Sequence, residues 1–480
     1  MTPSAHPSAT PGPMHFRTPF QTAVIVLALC LSAAVGTELI PAIAARVGAL
    51  FLFAVQIGYE IRRGEHSFLF SPVFLLAAAA LALFSLFPNA LFVFFQQFDD
   101  SEPGSDIFMG TVYRQEILSY FGRRAETLVL SFSAAALAVH GGTRWLLNSG
   151  VATGNDTPIG RDRRPQLLLV CSALLAVVFL VATQSSALGS SVTGLLRTVV
   201  PPVQSFLLVY LLHAAVVRKH VGVVPVLLLV AANVAIMILA HGGKIPALIV
   251  LAVTMYYLAI SRISFARLGK AVLMFAIFVF ICLQVVQVIR SPNASVIGEN
   301  NTFLQNLSTV FIAKLIWRQL ETGYCLDNVV ERHRFEGFQL SRQTFWLEIL
   351  IPRAVWPRKL NYSLGNEYAI EYCGIPDAPD HSASITLLGQ PLIYGGVPAL
   401  VLHGGILLLV LGTAGAVSMS RPGLPRIVIF ALLPWWIDFD QDFALYAGNI
   451  VKFGICMLPF VLFASDRFGR LFGKSDNSAY

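Results

Sequence analysis

Charge is scarce in these 480 residues: Asp, Glu, Lys and Arg together supply only 12%, about half the share of an ordinary soluble chain. A chain so poor in charge cannot cover the surfaces of three water-soluble domains. A Rossmann half or a nucleic-acid module of ordinary composition is therefore excluded. Cysteine is also sparse, at six, and no CxxC pair or His/Cys cluster with zinc spacing occurs, so a structural zinc module is excluded as well. The Pro- and Ser-rich residues 1–19 lack an A-x-A cleavage site, and the first apolar segment is expected to be retained.

What the chain does have is apolar length. Apolar residues make up 56%, the mean hydropathy is +0.70, and runs near 20 residues recur from end to end, the length that spans a bilayer as a helix. The sequence predicts an all-α polytopic membrane protein of about twelve transmembrane helices, near 20–36, 39–59, 68–88, 126–142, 166–184, 202–217, 222–240, 245–261, 271–289, 391–415, 426–438 and 443–464. With residues 1–19 inside as a cytoplasmic tail, the inner turns carry Arg62 and Arg63; Arg144, Arg161, Arg163 and Arg164; Arg218 and Lys219; Arg262, Arg267 and Lys270; and Arg421 and Arg426. The tail 465–480 is basic too. This agreement with the positive-inside rule sets the topology and reads the net charge of +7 as an orientation signal rather than a polyanion site. Residues 20–289 then hold helices 1–9 with a smaller outer loop at 89–125, residues 290–390 form a large outer cap, and 391–464 hold helices 10–12. Helical pieces at 303–324 and 343–352 make the cap helical.

The cap carries nine basic and ten acidic residues, a near balance that reads mostly as a solvated, salt-bridged surface. IPRAVWPRK (351–359) differs. Two prolines stiffen it and hold Arg353, Trp356, Arg358 and Lys359 on one rigid turn, either a lipid-headgroup anchor or a pyrophosphate or sugar site. Lys244 in HGGK opens a helix at an outer turn, where free N–H groups suit a phosphate, although a snorkelling lysine has the same pattern. Arg290 ends the next span on the same face. Lys452 lies about nine residues inside the last span, roughly 14 Å of helix rise. It needs either a substrate or an ion-pair partner, with Asp438, Asp440 and Asp442 the nearest in sequence. His381, beside Asp380, stands where the outer loop re-enters the membrane, and Arg318 sits on the first cap helix. Asp99 and Asp100 are the alternative acidic site of a metal-dependent transferase. Cys325 and Cys373 share the outer loop and are a candidate disulfide.

Three blocks of sequence resemble the Wzy-type oligosaccharide repeat-unit polymerases, relatives of the O-antigen and enterobacterial common antigen polymerases. The first runs from HGGK through Arg290. The second is Arg318, FEGF (335–338) and IPRAVWP. The third is SASITLLGQPLIYGG, a Ser/Thr-rich re-entry followed by a Gly-Gly turn. Together they cover about residues 70–465. The family has Arg where this chain has Lys244, which supplies charge without the bidentate fork. The resemblance implies a GT-C-like glycosyltransferase of the bacterial inner membrane, with its site facing the periplasm and no metal or other cofactor. It would join undecaprenyl-pyrophosphate-linked oligosaccharide units in O-antigen, common antigen or exopolysaccharide synthesis. A chain-length regulator and a flippase are the implied partners; nucleic acid is not. Arg353, Arg318, Lys244, Arg290, Arg358 and Lys359 would hold the pyrophosphate, Trp356 would pack on lipid or sugar, and His381, oriented by Asp380, would be the base. An O-antigen ligase-like transferase, or a flippase or transporter of lipid-linked sugars, fits the same gross features.

Overall fold

The structure is a computed structural model that describes residues 42–63, 69–86, 124–148, 164–184, 190–241, 245–261, 269–270, 277, 321–351, 365–374, 383–420 and 423–465. Among the described residues there are helices and no strands. In chain order they are α1 (Ala42–Arg63), α2 (Pro72–Leu81, continued by a π turn Ala82–Leu86), α3 (Arg124–Asn148), α4 (Arg164–Gln184), α5 (Ser190–Val216), α6 (Val223–His241) and α7 (Ile245–Ile260). In the cap come α8 (321–333), a 3₁₀ turn (Leu340–Arg342), α9 (Phe345–Glu348) and α10 (Gly365–Glu371). The chain ends with α11 (Thr386–Ser420), α12 (Leu424–Ala431), α13 (Leu433–Trp436) and α14 (Phe443–Ala464). Five helices among the described residues are long and apolar enough to cross a membrane, and three shorter apolar ones accompany them. The fold is that of a helical membrane protein.

Burial separates the inner helices from the outer ones. The span in α5 is 89% buried, against 28% for α4 and 22% for α14. The exposed side of α4 is a stripe of Leu167, Val170, Leu174, Val177, Val178 and Val181, apolar at helical spacing and suited to hydrocarbon. Polar side chains of the interior face one another between helices. Ser172 Oγ donates to Gln204 Oε1 at 2.6 Å while Gln204 Nε2 donates to the Ser172 carbonyl. His213 meets the Tyr256 hydroxyl at 2.6 Å, His140 meets Ser71 Oγ at 2.8 Å, and Ser205 Oγ donates to the Ala431 carbonyl. Such bonds fix helix pairing where lipid offers no hydrophobic drive.

Several elements depart from the sequence expectation. Spans expected at 20–36 and 271–289 lie outside the described residues, apart from Ile277, as do residues 89–123 of the expected outer loop with Asp99 and Asp100, while its last two residues already belong to α3. The span expected at 202–217 begins at Ser190 and carries Pro201 and Pro202 inside the helix. The segment expected at 426–438 is two short helices, with Pro434 in the first turn of the second. The span expected at 391–415 runs from Thr386 to Ser420 and is broken at Gly395 and Gly396. The first cap helix continues past Tyr324 to His333.

The cap sits on the N-terminal ends of α3, α11 and α14. Asp327 of α8 accepts the Ala125 N–H at 2.9 Å, capping the first turn of α3 with a carboxylate where the helix dipole favours negative charge. Arg334 and Glu336 lay their backbone against Gly396, and Ile349 presses its side chain onto Gly448 of α14. Phe345 stacks on Tyr394 with ring centroids 4.5 Å apart, and Trp346 meets Phe443 edge-on. At the opposite end, Arg426 donates to the Met419 carbonyl at 3.0 Å and closes the C-terminus of α11.

Candidate functional site

The cap end holds two polar clusters, each built by a different part of the chain. The first lies within the cap. Cys325 of α8 and Cys373, just after α10, form a disulfide, and both are fully buried. This bond puts Tyr372 beside the last turn of α8, where His333 stands. His333 Nε2 lies 2.8 Å from the Tyr372 hydroxyl and Nδ1 lies 2.6 Å from Glu336 Oε1. Burial first, and the Glu371 charge second, push the Tyr372 phenol above its ordinary range, so it stays protonated. The Glu336 carboxylate accepts from Nδ1–H, and the Tyr372 hydroxyl bonds both to Nε2 and to the Glu371 carboxylate. Arg332 donates to the Glu371 carbonyl at 3.0 Å and holds its guanidinium 5.6 Å from the Tyr372 ring centroid.

The second cluster joins the cap to the re-entry and to the last outer turn. Ala383 N–H donates to the Gly365 carbonyl at 2.9 Å, and Ser384 Oγ donates to the Asp440 carbonyl. Thr386 then adopts φ +64°, a strained backbone for a β-branched residue, with its Oγ1 accepting the Leu388 N–H. One turn later Gln390 is wholly buried. Its Oε1 accepts the Ala444 N–H at 2.8 Å and its Nε2 donates to the Tyr368 hydroxyl at 3.3 Å. Asp442, at the N-cap of α14, turns its carboxylate toward the Ile385 N–H, and its Oδ1 has no hydrogen-bond partner. Burial, aided by the Asp440 charge and opposed by the Ile385 bond, pushes the Asp442 carboxyl up to about 7. Burial and the Asp442 charge likewise raise the Tyr368 phenol.

Asp442 gives the fold a pH dependence with a definite sign. Because the folded value is raised from 3.8 to about 7, the folded protein holds this proton more tightly than the unfolded chain. The stabilisation is complete below about pH 4. It declines by up to about 1.4 kcal/mol per unit as pH rises toward 7, then levels. Asp442→Asn is expected to flatten this decline and raise the melting temperature above pH 7, read from thermal unfolding in nanodiscs between pH 4 and 9. An unchanged slope in the variant would assign the decline to other groups.

Most of the side chains chosen from sequence lie outside the described residues: Lys244, Arg290, Arg318, Arg353, Trp356, Arg358, Lys359, Asp380 and His381. Their described sequence neighbours are Ile351, which closes the helical turn after α9, and Ala383, buried and bonded to α10. Lys452 is half-buried within α14. Of the acids considered for it, Asp438 accepts Gln441 Nε2 at 2.5 Å and Asp442 faces Ile385.

Sequence reasoning treated Glu336 as one of many surface acids and passed over His333, Tyr372, Tyr368 and Gln390. The i,i+3 spacing of His333 and Glu336 was a usable signal. Among the described residues no group of three His, Cys, Asp or Glu side chains is arranged to hold a metal ion. No family model, curated protein or solved structure matches the chain.

Proposed function

We propose that this protein is an inner-membrane glycosyltransferase that polymerises undecaprenyl-pyrophosphate-linked oligosaccharide units at its cap end, which faces the periplasm. One observation carries the reading. FEGF and the Gly-Gly turn of the re-entry, two of the blocks that resemble the polymerases, are in direct contact: the Glu336 carbonyl would stand 2.6 Å from a Cβ at Gly396, and the Phe338 Cα 3.7 Å from one at Gly395. Motifs sixty residues apart in sequence thus form one unit, at the end of the spans where two lipid-linked substrates would meet.

In this reading the acceptor sugar hydroxyl attacks the anomeric carbon of the donor. The new glycosidic bond forms as the bond from that carbon to the pyrophosphate oxygen breaks, and the electron pair leaves with the pyrophosphate. Arg353 and Arg318, with Lys244, Arg290 and Arg358, neutralise the charge that develops there. His381, held by Asp380, takes the hydroxyl proton. Arg353→Ala is expected to lower the polymerisation rate at least about tenfold, since a charged contact to a developing oxyanion supplies several kcal/mol. Lys244→Arg is expected to keep activity. The assay is polymer length and yield from purified protein in nanodiscs given a synthetic lipid-pyrophosphate oligosaccharide. Full polymer from both Arg353→Ala and His381→Ala would refute the assignment. Transfer to a lipid core but not to a second repeat unit would identify a ligase instead.

A coupled carrier is the second reading, favoured by Asp442. A buried carboxyl that titrates near neutrality beside a broken helix is the usual apparatus of proton-coupled transport. The break in α11 argues the other way. It is packed by the Arg334–Glu336 backbone, a protein–protein contact where a carrier would use a cavity. Asp442→Asn separates the two, because it would abolish coupled transport yet leave polymer synthesis intact.

A further inference from the structure

Below the break, α11 carries an apolar groove on its outer side. Pro398, Leu402, Gly405, Ile406 and Leu409 line it, Phe338 of the cap roofs it, and its volume is about 530 Å³. Pro398 to Leu409 is a rise of roughly 16 Å along the helix, or about half of a bilayer's hydrocarbon thickness. The groove therefore starts under the cap and has the depth of one leaflet. Gly405 provides no side chain, and that absence helps keep the face concave. No lining side chain is polar, and Leu402, Ile406 and Leu409 are exposed.

The segment that supplies the roof also carries charge. The cap segment from Arg334 to Arg342 interleaves exposed Phe335, Phe338 and Leu340 with Arg334, Glu336 and Arg342. The Arg334 guanidinium lies 4.6 Å from the Phe335 ring centroid, and exposed Arg342 ends the turn that follows Phe338. Apolar side chains beside arginines are the composition of a segment at the headgroup boundary. An apolar channel of leaflet depth that opens under arginines is complementary to an amphiphile with a long chain and an anionic head.

The geometry points to this groove as the seat of the polyprenyl chain of a lipid pyrophosphate, with Arg342 on the headgroup side. The assignment rests on the proposed glycosyl transfer for its choice of lipid and adds the surface on which that lipid is held. It also accounts for the seating of the cap. The backbone that fills the Gly396 notch is continuous with the roof, so a bound chain and a docked cap would stabilise each other.

The test uses the full-length protein in nanodiscs with a polyprenyl pyrophosphate bearing a photoreactive group on its chain. Labelling is expected on α11 between Val401 and Leu409, and a fivefold excess of unmodified polyprenyl pyrophosphate should remove most of it. Leu402→Trp, which fills the groove from its exposed side, should reduce labelling at least fivefold with an unchanged melting temperature. Arg342→Ala should reduce it about threefold. A phospholipid with the same photoreactive group should label α11 no more than it labels α4. Equal labelling of α11 by that phospholipid, or polyprenyl labelling elsewhere on the protein, would overturn the assignment. Labelling does not require turnover, so the two proposals fail separately. Polymer synthesis without groove labelling removes the groove, whereas groove labelling without polymer synthesis removes the transferase reading.

Discussion

Gly396→Ala is expected to unseat the cap and abolish polymer synthesis while the membrane bundle stays folded. Gly396 has φ +61° and ψ −156°, a backbone conformation open in practice only to glycine, and an L side chain there costs about 1–3 kcal/mol. The added Cβ would also stand 2.6 Å from the Glu336 carbonyl and 3.2 Å from both the Arg334 carbonyl and the Glu336 N–H. These are backbone atoms on both sides of a close contact, so no rotamer change relieves them. With overpacking of comparable size, the total is on the order of 4 kcal/mol, concentrated where the cap meets α11. Gly395→Ala is the control. Its φ of 164° is ordinary extended backbone, so it lacks the conformational strain, and its Cβ would meet side-chain atoms, Nε2 of Gln343 at 2.9 Å and Cβ of Ala399 at 3.1 Å, at the cost of the Gln343 bonds to the Gln339 and Tyr394 carbonyls. Hydrogen exchange over 334–351 should accelerate strongly in Gly396→Ala and much less in Gly395→Ala, with exchange in α5 unchanged in both. Equal exchange in the two variants would show that the notch does not hold the cap.

The two glycines also mark where the sequence stops being legible. Hydropathy locates helices well where the bilayer alone sets the rule: the last span is expected at 443–464 and observed at Phe443–Ala464, and the span expected at 166–184 is observed as α4 at Arg164–Gln184. It fails where buried partners replace lipid. Gln390 and Pro391 signalled the edge of a span, yet α11 begins earlier, because Ala444 N–H and the Tyr368 hydroxyl satisfy the Gln390 amide. Pro201 and Pro202 signalled a helix start, yet α5 runs through them. The Gly-Gly pair could be read as a turn, but nothing local says that Arg334 and Glu336 fill it. The candidate site divides in the same way. Cys325 and Cys373 were recognisable as a pair from their shared loop, and the His333–Glu336 spacing was visible. Tyr372 joins them only because the disulfide draws α10 against α8, a long-range consequence that no window of sequence contains. The cationic set chosen for the pyrophosphate rests on sequence and on its family resemblance, whereas the seat of the cap rests on geometry.

Removing the disulfide is expected to have the second large effect. Cys325 and Cys373 close a loop of 48 residues, and constraining a loop of that length in the unfolded chain is worth about 4 kcal/mol. Both cysteines are at 0% exposure, so an added thiol should not reach the bond until the cap opens. Native protein in nanodiscs should therefore resist a reductant that acts readily after mild denaturation. The Cys325→Ser/Cys373→Ser variant should show a loosened cap: faster proteolysis between 321 and 374, and loss of the Tyr372 hydroxyl from His333 Nε2. The imidazole then trades a buried phenol for water, so its NMR resonances should shift. Cys171→Ser and Cys456→Ser remove the two free cysteines among the described residues and should change neither proteolysis nor the His333 signal. If the double variant keeps native proteolysis and native polymer yield, the Asp327 bond to α3, Gly396 under Glu336 and Gly448 under Ile349 suffice to hold the cap, and the disulfide acts only by restricting the unfolded chain. If it loses polymer while the bundle melts normally, the position of α10 against α8 is part of what makes the site work.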